Sequence, residues 1–398
     1  IKLYSMNSLL DFTHIKNTFL FWLVLCIYSM PMKSQMLTGA DNTTSYLPEL
    51  KGKKIGVVAH QASLVISSGE YMHLVDVLLK NKIDVKAIFA PEHGFRGIAD
   101  AGEQVSDEKD LQTQLPIYSL HGKNRKPLPE QLKEIELMIF DLQDVGVRFF
   151  TYLSTLHYVM EACAEKKIPL IILDRPNPNI HYVDGPVLNL ENSSFLGMHA
   201  VPIVYGMTIG EYAKMINGEG WLSNGISCDI KVIPIQNYTH KTAYELPIRP
   251  SPNLPNAKAI SLYPSLCLLE PTVISIGRGT DHQFQIYGHP SLKTNQFSFV
   301  PRPNFGSKSP KHNGLICFGK DLTKIPNPDR IELKWLAEAY DNFPEKKAFF
   351  KKGFNRISGV SSLRKQIQQG VPLSEIRKTW EHDLSKFKKI RMKYLIYP

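Results

Sequence analysis

Three times in the first half of this 398-residue chain, an acidic side chain and a basic one share a short loop after an apolar run. Pro91-Glu92-His93-Gly94-Phe95-Arg96-Gly97 follows VKAIFA. Asp141-Leu142-Gln143-Asp144-Val145-Gly146-Val147-Arg148 continues LMIF, and Asp174-Arg175-Pro176-Asn177-Pro178 continues PLIIL. If the runs are parallel strands of one sheet, these loops share its carboxyl edge, where open α/β sheets collect their ligands. Glu92, between Pro91 and Gly94, sits on a constrained turn. Partial desolvation there raises a carboxyl pKa and suits it to general-acid work near neutral pH; the alternative is a glutamate that caps the next segment or pairs with Arg96. Asp144 reads in three ways: a second carboxylate, an orienting partner for Arg148, or an Asx-turn that closes its loop. Asp141 is nearer the strand and reads as structural. Asp174-Arg175 is either a functional pair or an internal salt bridge, and His93 either orients a substrate hydroxyl or is a structural hydrogen-bonder. Further on, Gly277-Arg278-Gly279-Thr280-Asp281 is a short charged loop without the spacing of a dinucleotide fingerprint, and Glu270, before Pro271, reads as a helix start.

Other chemistries lack their motifs. The sequence holds no G-x-S-x-G elbow, no P-loop, no H-E-x-x-H helix and no His/Cys cluster with metal-ligand spacing, so no metal and no cofactor is expected. Carboxylates with arginines nearby suit acid-assisted hydrolysis of a glycosidic bond in an anionic sugar. The formal charge of +10 suits an anionic partner. The lysines gather late, at Lys346-Lys347 and Lys351-Lys352, without the interleaved aromatics of a single-strand platform, so nucleic acid is not expected.

The elements that must position these loops follow from periodicity. Lys54–Ala59, Val85–Ala90, Leu137–Leu142 and Pro169–Asp174 read as near-continuously apolar strands of a parallel sheet covered on both faces. Helices are predicted at Glu70–Lys82, Glu130–Glu136, Tyr152–Lys166 and Thr208–Asn217, the last with Thr208 and Glu211 spaced as a capping box. Asp229–Ile233 reads as a strand, and helices follow at Ile331–Asn342, Ser361–Gln369 and Leu373–Lys389, with a final strand Tyr394–Tyr397. The fold class is α/β, a mostly parallel sheet domain over 50–195 and a smaller α/β domain over 196–398.

Residues 1–34 read as an export leader: Lys16 precedes an apolar run from Phe19 to Tyr28, too short to span a membrane comfortably. Periplasmic or secreted location is expected, without stable membrane insertion after leader removal. A lipoprotein is disfavoured because Leu25 stands before Cys26. Cys163, Cys228, Cys267 and Cys317 are widely spaced, and three of them lie in apolar runs as buried hydrophobes.

The strings PEHGFRG (91–97), DLQDVGVRFFTY (141–152), LDRPNP (173–178), VPIVYGMTIGEYA (201–213), PSPNLP (250–255) and GRGTD (277–281), in this order, resemble those of the exo-β-N-acetylmuramidase family, long filed as a domain of unknown function. The resemblance runs from about Lys53 to the C-terminus. It implies a Rossmann-like domain plus a smaller α/β domain with the site between them. It also implies a substrate class, peptidoglycan-derived oligosaccharides ending in N-acetylmuramic acid (MurNAc-GlcNAc). The family's PEHG glutamate falls on Glu92 and makes it the general acid; Asp144 or Asp281 is then base or stabiliser, with a substrate-assisted route through the 2-acetamido group also open. The lactyl carboxylate of such a sugar calls for an arginine fork, with Arg148 and Arg278 preferred over Arg175. Tyr263 is a candidate to stack on a sugar face, and His93 and Arg96 flank the acid.

Overall fold

The computed structural model describes residues 35–67, 69–95, 108–294 and 297–398. The expected leader and Arg96 lie outside the described residues. In chain order the strands are β1 (Lys54–Ala59), β2 (Leu64–Ser67), β3 (Glu70–His73), β4 (Asp84–Ala90), β5 (Glu108–Lys109), β6 (Pro116–Ser119), β7 (Leu137–Asp141), β8 (Leu170–Leu173), β9 (Ile230–Ile233), β10 (Ile286–His289), β11 (Ser298–Phe299) and β12 (Cys317–Asp321). The principal helices are α1 (Leu74–Lys80), α2 (Tyr152–Lys166), α3 (Ile209–Gly218), α4 (Ala257–Leu266), α5 (Lys334–Asn342), α6 (Phe354–Ser358), α7 (Ser362–Gln368) and α8 (Leu373–Arg391).

The central strands are apolar along their length because both faces are covered. From β1, Ile55, Val57 and Ala59 join one buried cluster with Leu74, Val75 and Leu78 of α1, while Val58 points into the other with Met138, Phe140 and residues of α2 and α3. Strands β6-β4-β1-β7-β8-β9 run parallel, the spatial order 3-2-1-4-5-6 of a doubly wound Rossmann-like sheet, and β5 adds an antiparallel edge. The second, smaller sheet is antiparallel, β10-β12-β11, and α4 to α8 accompany it. Its Tyr287 belongs to the same apolar cluster as Phe140, and Leu37–Pro398 forms one compact unit. The large sheet takes its last strand, β9, from residues beyond the 195/196 division expected from sequence.

Four expectations are corrected. Glu70–Lys82 is not one helix: Glu70–His73 pairs with β2 as a hairpin, and the helix starts at Leu74, where the His73 ring accepts the Val75 N–H at 3.2 Å. Glu130–Glu136 forms turns, with i→i+3 bonds such as Ile135 N–H to the Leu132 carbonyl, because so short a segment does not offset helix nucleation. Tyr394–Tyr397 pairs with no strand. The Ile396 and Tyr397 N–H groups instead donate to Glu211 Oε1 at 2.8 and 3.3 Å. Glu270 starts no helix; it follows the 3₁₀ turn Cys267–Leu269 that extends α4. The capping box on α3 is formed, Thr208 and Glu211 each accepting the other's backbone N–H. All four described cysteines are buried and unpaired.

Candidate active site

Beyond β4 the chain turns at once. The Gly94 N–H donates to the Pro91 carbonyl at 3.0 Å, with His93 at φ 75° and Gly94 at φ 76°. A left-handed histidine costs roughly 1–2 kcal/mol against its relaxed conformation, and such local strain concentrates at functional sites. The turn leaves Glu92 16% exposed in its side chain, at the wall of a cavity of about 100 Å³.

The opposite walls come from elements far apart in sequence. The loop after β7 brings Phe149 to Thr151, and Thr151, N-cap residue of α2, donates its hydroxyl to Glu92 Oε2 at 2.8 Å. His121, after β6, holds Nδ1 4.0 Å from the same oxygen. The proline-rich stretch supplies Asn253, and α4 with its extension supplies Tyr263 and Glu270. Arg278 closes the ring of charge: its Nε donates to Glu270 Oε1 at 2.7 Å, and its guanidinium lies 5.2 Å from the Phe284 ring centroid. Burial works against that cation, but the Glu270 carboxylate outweighs it and raises the Arg278 pKa. Burial, with the Glu92 charge adding to it, also raises Tyr152 and Tyr263 well above the ordinary phenol range, so both hydroxyls stay protonated.

Of the residues singled out from sequence, Glu92, His93, Tyr263 and Arg278 therefore line one cavity. Four do not. Arg148 is 1% exposed, and its guanidinium is taken by the carbonyls of Pro186 and Val201 (3.0 and 2.8 Å) and of Ile357 (3.0 Å). It clips three backbone segments together and offers no fork to a sugar carboxylate. Burial lowers its pKa to about 9. Arg175 is 4% exposed and binds Asp141 through Nε and one Nη at 2.5 and 2.9 Å, so its partner is the strand residue and not the adjacent Asp174. Asp144 closes its own loop, its Oδ2 accepting the Gly146 N–H at 2.7 Å and the Tyr205 hydroxyl; burial pushes it up to about 6. It does not line the cavity with Glu92, nor does Asp281, which is exposed. Tyr263 meets Phe149 and Phe284 edge to face at 5.3 and 4.8 Å. Among the described residues no three His, Cys, Asp or Glu side chains converge as a metal site would require.

Thr151 and Asn253 are site residues that sequence reasoning passed over, and Glu270 is one that it read as a helix start. Thr151 carried a usable signal, a hydroxyl residue just before a clear helix. Glu270 carried none, because its partner Arg278 is defined only by how α4 and the following loop pack.

Two family models cover nearly all of the described chain. The N-terminal domain of the exo-beta-N-acetylmuramidase NamZ matches residues 55–258, and the C-terminal domain matches 261–397. The chain belongs to the NamZ family of glycosidases. Peptidoglycan beta-N-acetylmuramidase NamZ of Bacillus subtilis (strain 168) is 37% identical over 389 residues, covering 92% of each chain. Two crystal structures of DUF1343 family proteins from Bacteroides fragilis NCTC 9343 superpose with TM-scores of 0.84 and 0.77, at 43% and 27% identity, covering 92% and 91% of this chain and 99% of each of theirs. In this NamZ-family chain the two family models meet within the first turns of α4, so the cavity draws Glu92 and Asn253 from the first matched region and Tyr263, Glu270 and Arg278 from the second.

Asp174, at the exit of β8, reports on stability and not on the cavity. It accepts the Thr208 and Tyr397 hydroxyls at 2.7 and 2.6 Å and the Gly210 N–H at 2.8 Å. Burial pushes it up to about 7, with the Glu211 charge adding and the two hydroxyls pulling the other way. The folded chain then holds this proton more tightly than the unfolded chain, whose aspartate titrates near ~4. The stability it contributes is present below about pH 4 and lost as pH rises toward about 7. In Asp174→Asn this slope disappears, so urea midpoints of the variant gain on the wild type between those two pH values. Parallel curves would show that Asp174 titrates normally.

Proposed function

We propose that this chain is an exo-acting hydrolase that removes terminal non-reducing β-1,4-linked N-acetylmuramic acid from peptidoglycan fragments, with Glu92 as general acid. The observation that carries the reading is Glu92 at the wall of a small cavity that also holds Glu270, Arg278 and Tyr263. The similarity to the Bacillus subtilis peptidoglycan beta-N-acetylmuramidase supports the substrate class.

Thr151 orients the Glu92 carboxyl by donating to Oε2, and that carboxyl supplies the acidic proton to the leaving oxygen. Glu270 is the second carboxylate of the cavity, positioned to stabilise positive charge at the anomeric carbon, a role for which Asp144 and Asp281 stand outside the lining. Arg278 engages Glu270 through Nε and keeps its two Nη groups for a lactyl carboxylate. Tyr263 supplies aromatic surface at the cavity wall.

The test uses three substrates: 4-nitrophenyl β-N-acetylmuramide, the disaccharide MurNAc-GlcNAc, and long glycan strands. Nitrophenol is expected from the first, both monosaccharides from the second, and only N-acetylmuramic acid from strands that end in it. Binding without release would make the protein a muropeptide binder, and oligosaccharides cut from within strands would overturn the exo reading.

A further inference from the structure

The cavity contains a polar side chain that has no hydrogen-bond partner among the described residues. Asn253 is 3% exposed, lines the cavity with Glu92, Tyr263 and Arg278, and has no hydrogen-bond partner for either Oδ1 or Nδ2. A buried carboxamide without partners is a net cost to the fold and is uncommon in native proteins, which satisfy nearly all such groups. The stretch that carries it is held rigidly. Pro250, Pro252 and Pro255 restrict the backbone on both sides, the Leu254 N–H donates to the Ser251 carbonyl at 3.2 Å, and Asn256 caps α4 by accepting the Ala259 N–H at 2.9 Å. Gly306 packs behind the residue: a Cβ there would lie 3.0 Å from Asn253 Oδ1 and 2.8 Å from the Pro252 carbonyl. The amide is thus held in place, buried, with its donor and its acceptor unpaired.

A carboxamide presents one acceptor and two donors in a plane, while the N–H and C=O of a trans acetamido group point in opposite directions, so one side-chain amide pairs with one of the two. We infer that Asn253 is the residue that recognises the 2-acetamido group of the bound sugar, Nδ2 donating to the acetamido carbonyl. The inference rests on the reading that the cavity takes an N-acetylated sugar. It adds a specificity-determining residue to that reading. A site built to hydrogen-bond a substrate amide discriminates strongly against an analogue that lacks it, because the buried partner is then left unpaired. Held in this way, the acetamido group is also fixed in orientation beside the anomeric carbon, whether or not it takes part in the bond-breaking step.

Binding, not turnover, is the readout. N-acetylmuramic acid and 3-O-lactylglucose, which carries a hydroxyl in place of the acetamido group, are titrated calorimetrically into wild type and Asn253→Ala. The wild type is expected to favour the N-acetylated sugar by about 10- to 100-fold, and the variant by less than about twofold, with affinity for 3-O-lactylglucose little changed. Thermal stability separates a recognition role from a structural one: removing an unsatisfied buried amide leaves Tm equal or higher, whereas removing a structural hydrogen-bonder lowers it. Asn253→Asp, which is isosteric and loses the donor, serves if the alanine variant does not fold, and is expected to lose most of the preference as well. Full retention of the preference in either variant, or no preference in the wild type, would overturn the inference. Neither sugar is cleaved in these titrations, so the result stands apart from Glu92: failure of the acid reading appears in the turnover of a Glu92 variant and not in these affinities.

Discussion

Glu92→Gln is expected to yield a folded protein whose turnover of MurNAc-GlcNAc is reduced roughly 10²–10⁴-fold, the usual contribution of a positioned general acid. The substitution is isosteric, and Gln Oε1 can still accept the Thr151 hydroxyl that Glu92 Oε2 accepts at 2.8 Å, so the turn and cavity stay as they are. What is lost is a proton that can be given away. The loss therefore depends on how much the leaving group needs that proton. A 2,4-dinitrophenyl leaving group departs as a stable anion, and with it the variant should recover most of the wild-type rate. A sugar hydroxyl departs poorly unprotonated, and with it the full deficit should remain. Steady-state kinetics on the two substrates decide the matter. An equal deficit on both would assign Glu92 to binding or to electrostatic stabilisation, and near-normal turnover on both would move the acid elsewhere in the cavity.

The largest effect on stability is expected from Arg175→Met, which should lower the free energy of unfolding by about 3–5 kcal/mol. Asp141 at the end of β7 is fully buried, and the two-pronged contact from Arg175 is what makes its charge tolerable there. Removing the arginine leaves a desolvated carboxylate, together with a Leu64 carbonyl that has lost its donor at 2.8 Å. The unpaired, buried carboxyl will hold its proton above the ordinary aspartate range, so the deficit should shrink as pH falls toward about 4. A double variant, Asp141→Leu with Arg175→Met, should be markedly more stable than the sum of its parts, because the cost lies in the orphaned charge and not in the absence of the pair. Urea denaturation at neutral and acidic pH measures all three. A single variant that loses less than ~1 kcal/mol would mean that the pair is effectively solvated.

The buried arginines show why two of the charged candidates left the site. Arg148 and Arg175 follow strand exits beside carboxylates, as binding residues of α/β enzymes do. In the fold both point inward: Arg148 gathers carbonyls from as far along the chain as Ile357, 209 residues away, and Arg175 reaches back 34 residues to Asp141. Nothing local distinguishes an arginine that meets a ligand from one that meets a distant carbonyl. Glu92 escaped this ambiguity because a turn forms from neighbours, and the left-handed pair His93-Gly94 leaves its side chain at the sheet edge.

Sequence alone determined what depends on a few consecutive residues: the apolar runs of β1, β4, β7 and β8, the amphipathic α2, the capping box Thr208–Glu211, and a carboxylate placed just beyond β4. Tertiary structure decided the pairing of charges, the hairpin in place of the start of a helix at Glu70, the three-stranded second sheet, and the meeting of Glu92 with Glu270, Arg278 and Asn253. The division has a physical reason. Hydrogen-bonded periodicity and caps are short-range and leave a trace in residue spacing. The partner of a buried polar group is set by which distant segments come together over the sheet, and that information is spread over the whole chain.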